Sequence, residues 1–441
     1  MLSLLLGTLR LRWPALLGTL AILTLGTAIV GANANLLDGG IRHEHSDLIS
    51  LSAVFGGLTA MLMVTIVAVI FSLSMAQRRS EISLGRAIGV SPGQLRWLVT
   101  LETLILGVIG SVAGLSLAKQ LTVHIFSLAV DAGIVPGGLP VVIRWLQSSI
   151  SAAVGLVASL AAGLVAVHRW ARLSPAEGLA GRHDGYDDMT HSRAVGASVI
   201  FTGALALSVV TLTVMEGPVA SATAAPAVFL WTAGAALVAK VILRPLFYAM
   251  ASLAGRLGVP GSLASSGVIA RQSALVPVSV SVMLAVAPVL SLITMELAIH
   301  ADAGGGGTPD VGGIVNQLLV GLIAAYAFVS LANAAALWVL GTRNEATTLR
   351  VLGGTPSLTA TVLLTELFTA LVAGKVLGLS IAVAATLPFL IALREPLTLP
   401  AGTETVTGWV LGISLMVTIM VGGPLVAWAV HRPLTSMTDT N

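Results

Sequence analysis

Ten stretches of this chain are long and apolar enough to cross a lipid bilayer, and no other feature restricts its fold as strongly. A helix needs about 20 mostly apolar residues to span the hydrocarbon layer. Backbone polar groups in lipid must be satisfied within the segment itself, so runs of this length read as helices. They fall near 14–34, 48–76, 97–129, 147–168, 195–215, 225–243, 276–298, 314–340, 360–391 and 407–430. Only 9% of the 441 residues are charged, whereas soluble proteins usually carry about a quarter. Lipid is the solvent for most of the chain. The expected fold class is therefore an all-α integral membrane protein with about ten transmembrane helices.

Positive charge orients such a chain, because Lys and Arg concentrate on the cytoplasmic side. Arg10 and Arg12 precede the first span, and Arg78, Arg79, Arg86 and Arg96 lie between the second and third. Arg169, Arg172, Arg182 and Arg193 follow the fourth, and Arg244, Arg256 and Arg271 follow the sixth. Arg343 and Arg350 follow the eighth, and Arg432 follows the tenth. The opposite loops hold only Arg42, Arg144 and Arg394. Both termini are thus expected in the cytoplasm, with the first span kept as a helix rather than cleaved as a signal peptide. The outer loops at 35–47, 131–146, 216–224, 299–313 and 392–406 are too short for a folded extracytoplasmic domain. Scattered basic residues and a net charge of +3 give no nucleic-acid footprint. Absent cysteine excludes disulfides, iron–sulfur clusters and thiol chemistry.

An internal repeat organises the spans. An ungapped shift of 264 residues places Arg79 on Arg343, Glu81 on Glu345, Arg86 on Arg350 and Gly89 on Gly353. It continues with Pro92 on Pro356, Glu102 on Glu366, Gly110 on Gly374, Gly114 on Gly378 and Trp145 on Trp409. The reading is a 4+2+4 arrangement: a four-helix unit over 1–175, a cytoplasmic loop and two-helix linker over 176–260, and a second four-helix unit over 261–441. Both units start on the same side, so they are parallel repeats about an axis along the membrane normal.

The segments from Gln77 to Pro92 and from Gly341 to Pro356 each alternate apolar residues with Arg and Glu at helical spacing. Each reads as a short amphipathic helix at the membrane surface, ended by Gly89 or by Gly353-Gly354. Such a helix either docks a soluble partner through a groove or simply lies on the surface. Gly110 and Gly114, like Gly374 and Gly378, are four residues apart and suit close helix packing in lipid. Glu102, Glu366 and Lys375 are charges inside spans, which are functional candidates by default. The duplicated glutamates suggest a structural or coupling role, with proton transfer as the alternative. Lys375 aligns with the neutral Ser111, and its expected partner is a cavity or a carboxylate. There is no G-x-x-x-x-G-K-[ST], no H-E-x-x-H and no G-x-S-x-G, so no catalytic or metal site is expected.

The stretch from Arg78 to Leu95, followed by Leu101-Glu102-Thr103-Leu104, resembles the hallmark of FtsX-like (MacB-type) ABC transporter permeases. Arg172 to Leu179 resembles that family's segment after the fourth helix, and Arg343 to Glu366 is a looser second copy. The resemblance implies a non-catalytic multi-pass subunit of the cell membrane that binds no cofactor. ATP and Mg would sit in a separate ATPase, whose dimer docks on coupling helices around Arg79–Gly89 and Arg343–Gly353. It also implies mechanotransmission, here directed at exporting or extracting an amphiphilic peptide, lipid or drug. Many relatives carry a large external domain after the first helix of a repeat, which 35–47 and 299–313 are too short to hold. Two other readings stay open: a scaffold relaying ATPase state to an envelope partner, and an ion-coupled secondary transporter.

Overall fold

The computed structural model describes residues 2–77, 89–131, 145–170, 191–256, 258–302, 311–393 and 403–431. Every element among them is helical: α1 (Leu2–Arg42), α2 (Ser46–Gln77), α3 (Pro92–Asp131), α4 (Trp145–Trp170), α5 (His191–Thr213), α6 (Ser221–Ala254), α7 (Gly258–Ala270), α8 (Gln272–Asp302), α9 (Val311–Gly341), α10 (Arg343–Val351), α11 (Pro356–Ala392) and α12 (Thr403–His431). Ten are long and apolar enough to cross a membrane, and α7 and α10 are the short exceptions.

The helices pack in two sets with one neighbour pattern. In the first, α1 contacts α2, α3 and α4, and both α2 and α3 contact α4. In the second, α8 contacts α9, α11 and α12, and both α9 and α11 contact α12. The sets meet reciprocally, α1 on α9 and α2 on α8, with α2 also against α9. Close approach at this seam needs small residues. A Cβ at Gly18 would overlap Asn333, and one at Gly26 would sit 2.8 Å from the Tyr326 hydroxyl.

The α5–α6 hairpin breaks the symmetry, since it packs on α11 through both helices while α6 also reaches α8 and α2. It is tied internally by Thr211 and Thr223 hydroxyls 2.8 Å apart and by Trp231 Nε1 donating to Ser208 Oγ at 3.2 Å. Arg193 Nη2 adds a bond to the Leu237 carbonyl at 3.0 Å. The second set is therefore clad on a side that α5 and α6 leave open on the first.

The stretch 244–275, left between the sixth and seventh spans in the sequence, is largely helical. Arg244-Pro245 looks like a stop, yet α6 runs on to Ala254 because Leu243, Phe247, Ala251 and Ala254 keep one buried face. Neighbouring helices can satisfy what a proline frees in a membrane helix. Arg244 itself lies over the Tyr248 ring, 6.0 Å from its centroid. Residues 258–270 form α7, whose start includes the 260/261 boundary drawn from sequence.

Candidate functional site: the turns before α3 and α11 and the buried charges above them

The two repeated turns are built by the same local chemistry. Gly89 (φ 103°) and Gly353 (φ 91°) occupy the left-handed region that glycine enters without a side-chain clash. After α10 the Gly354 amide donates to the Leu349 carbonyl at 2.9 Å and the Gly353 amide to Arg350 at 3.1 Å. That pair of bonds is a Schellman motif, which stops the helix and reverses the chain. Gly353→Ala is expected to cost about 1 kcal/mol of left-handed strain. Hydrogen exchange at the Gly354 amide should accelerate, whereas Gly321→Ala, at an open helical position, should leave it unchanged.

The next helices start from strong caps. The Ser91 hydroxyl accepts from the Gln94 amide at 3.2 Å, and the Gln94 side chain accepts from the Ser91 amide at 3.0 Å. This is a capping box with Pro92 as first helical residue. Thr355 caps α11 likewise, accepting from the Leu358 amide at 3.2 Å, with Pro356 next. Each turn is thus a stiff joint fixed to a long helix.

α10 is polar on average, yet its end presents Val351 and Leu352, 72% and 79% exposed. Sequence reading singled out the charges here and missed these apolar tips, because exposure is set by the turn. Arg350 is partly buried near the end of α10. Arg79, Glu81, Arg86 and the Arg172–Leu179 segment lie outside the described residues, as do the side chains of Arg343 and Glu345.

Glu366 lies on α11 above that turn and is fully buried, with Arg271 Nη2 donating to its Oε1. Sequence reading left the partner of this glutamate open. Arg271, counted there only as a topological charge, reaches it because α7 turns directly into α8. Gly267 makes the space, since a Cβ there would overlap Glu366 Oε1. α7, α8 and α11 are pinned together by one ion pair. Glu102, the aligned position on α3, is also buried.

The four packing glycines lie at equivalent crossings. A Cβ at Gly110 would meet Leu23 Cβ at 2.7 Å, and one at Gly114 would meet Thr27 Cβ at 2.7 Å. Gly374 faces Val282 at 2.7 Å and the Ser279 carbonyl closer still, and Gly378 faces Val286 at 3.1 Å. Lys375 has no carboxylate beside it among the described residues. Its Nζ donates to the Leu411 carbonyl at 2.8 Å, much as Ser111 Oγ donates to Ala152 at 3.2 Å. Glu296, a further charge within a span, is buried on α8.

No curated protein matches the chain. Residues 53–175, from α2 through α4 and the segment after it, match the family model described as FtsX-like permease C-terminal, so this part of the chain is similar to a membrane permease domain.

Proposed function

We propose that the chain is the permease subunit of an ABC-type transporter, working with a separate ATPase pair to export or extract an amphiphile from the cell membrane. The observation that carries the reading is the pair of glycine turns joined to capped helices, the second of them next to an exposed Val351-Leu352 tip. Such a tip suits insertion into a groove of a soluble partner. The FtsX-like match over 53–175 supports the same class, whose membrane subunits are generally non-catalytic. The termini and both turns then face the cytoplasm, where the arginines concentrate.

In this mechanism the ATPase dimer docks on residues 78–88 and on α10. ATP and Mg stay in that partner. Closure of the dimer displaces the two joints. The 37-residue α11 is about 55 Å long at 1.5 Å per residue, so it carries displacement of its base to the far side. Pinning by Arg271 and Glu366 makes α7 and α8 follow.

Affinity purification from native membranes should recover a stoichiometric P-loop ATPase. Combining Arg350→Glu with Leu352→Asp is expected to weaken that association on the order of a hundredfold, as for a buried interface anchor. Its stimulated turnover should fall accordingly. Unchanged association and turnover in that variant would remove α10 as a docking element, and recovery of the chain without any ATPase would remove the permease reading.

A further inference from the structure

Lys375 lies about midway along α11, and lipid-facing apolar residues flank it in both directions. Leu364 and Phe368, 42% and 54% exposed, precede it, and Val383 and Leu387, 46% and 38% exposed, follow. Its depth is therefore that of the hydrocarbon, where a charged side chain is costly and normally finds a partner. The lysine arm is far too short to carry its ammonium from mid-helix to either interface.

The side chain is only partly buried, between α11 and α12. One ammonium donor goes to the Leu411 carbonyl, a neutral group. No carboxylate pairs with it among the described residues. Leu364, Phe368 and Lys375 share one face of α11, at separations of four and seven residues. A shallow apolar groove on the outward side of α12 is lined by α12 residues alone, Gly408, Trp409, Gly412, Ile413 and Met416, and is separate from Lys375. The aligned Ser111 is neutral and buried. The cation is a feature of the second helix set.

We propose that this lipid-facing side of α11 is a lateral binding site for an amphiphile bearing a carboxylate, with the carboxylate on Lys375 and the apolar chain along Leu364 and Phe368. Charge complementarity selects the ligand. A carboxylate supplies the countercharge that Lys375 lacks among the described residues, and an acyl chain is at home against these side chains. Phospholipid headgroups stay at the interface, so the occupant is one that carries its anion into the hydrocarbon depth. The site names a substrate class for the permease reading and rests on that reading for the ligand's role as cargo. Binding itself needs no ATPase.

The test is photolabelling of the full chain in nanodiscs of zwitterionic lipid. The probes are a long-chain fatty acid with a mid-chain diazirine and the alcohol of the same chain. The acid should label α11 and α12 peptides on the order of tenfold more than the alcohol, the ratio one good charge contact gives. Lys375→Met should abolish the excess and Lys375→Arg should keep it. Unlabelled fatty acid, but not the alcohol, should compete on the unaltered protein, which keeps the test valid if Lys375→Met fails to fold. Equal labelling by both probes, an excess that survives Lys375→Met, or competition by the alcohol alone would each overturn the site. Recovery of an ATPase from membranes decides the permease reading whichever way the labelling falls.

Discussion

Gly374→Ala is expected to be among the most destabilising single-methyl additions in the chain, at about 3 kcal/mol, the upper end for overpacking a tight core. The reason is the identity of the neighbour. A Cβ at Gly374 would press on the Ser279 carbonyl oxygen, part of a helix backbone that cannot rotate away, with Val282 Cβ at 2.7 Å behind it. α8 and α11 would have to separate along their whole crossing, in the second set's most enclosed region. At Gly378 the nearest atoms are Val286 Cβ at 3.1 Å and Met283 Cα at 3.3 Å, so a shift of a few tenths of an ångström makes room. Gly378→Ala should cost no more than about 1 kcal/mol, because alanine also recovers about that much helix propensity. Gly412, with nothing within 4 Å, is the control and should gain slightly. Reversible unfolding in mixed micelles, comparing the three variants, reads the order directly. Equal losses at Gly374 and Gly378 would show that the helices adjust freely at this crossing.

How much of this was legible in the sequence depended on the range of the interaction involved. Spans were visible because a lipid-crossing helix is a local run of apolar residues, and every one of the ten matches a helix. Gly89, Pro92, Gly353 and Pro356 were readable as punctuation because turns and caps are also local chemistry. Arg244-Pro245 misled for a complementary reason: its local signal says stop, and tertiary packing of Phe247 and Ala251 overrides it. α7 was hidden because Gly258–Ala270 is short, glycine- and serine-rich and bounded by arginines. The partner of Glu366 could not be found, since Arg271 lies far away in sequence and reaches it only through the α7–α8 turn. Lys375 was visible as an anomaly. That its bond goes to a backbone carbonyl rather than a carboxylate needed the neighbouring helix.

Removing one partner of the Arg271–Glu366 pair should do more damage than removing both. Glu366→Leu takes the buried carboxylate away from a guanidinium whose side chain is only 19% exposed, and breaking a buried pair by removing one partner typically costs about 3–5 kcal/mol. Arg271→Leu/Glu366→Leu exchanges the pair for apolar contacts of similar volume and is expected to recover most of that loss, as buried ion pairs commonly allow. The double variant therefore separates two roles that the single variants confuse. If the pair serves only to hold α7, α8 and α11 in place, the double variant will be stable and will still stimulate the ATPase. If it transmits displacement from the α10 joint, the double variant will be stable and uncoupled, because leucines at a lipid-like interface slide where a hydrogen-bonded guanidinium does not. Transmission is the expected outcome. Glu366 sits directly above the joint, Gly267 is a glycine where any side chain would evict the carboxylate, and three helices converge on one bond. A packing role alone would have been served as well by leucine. Micellar unfolding together with partner-stimulated ATP turnover on the same three variants decides between the roles.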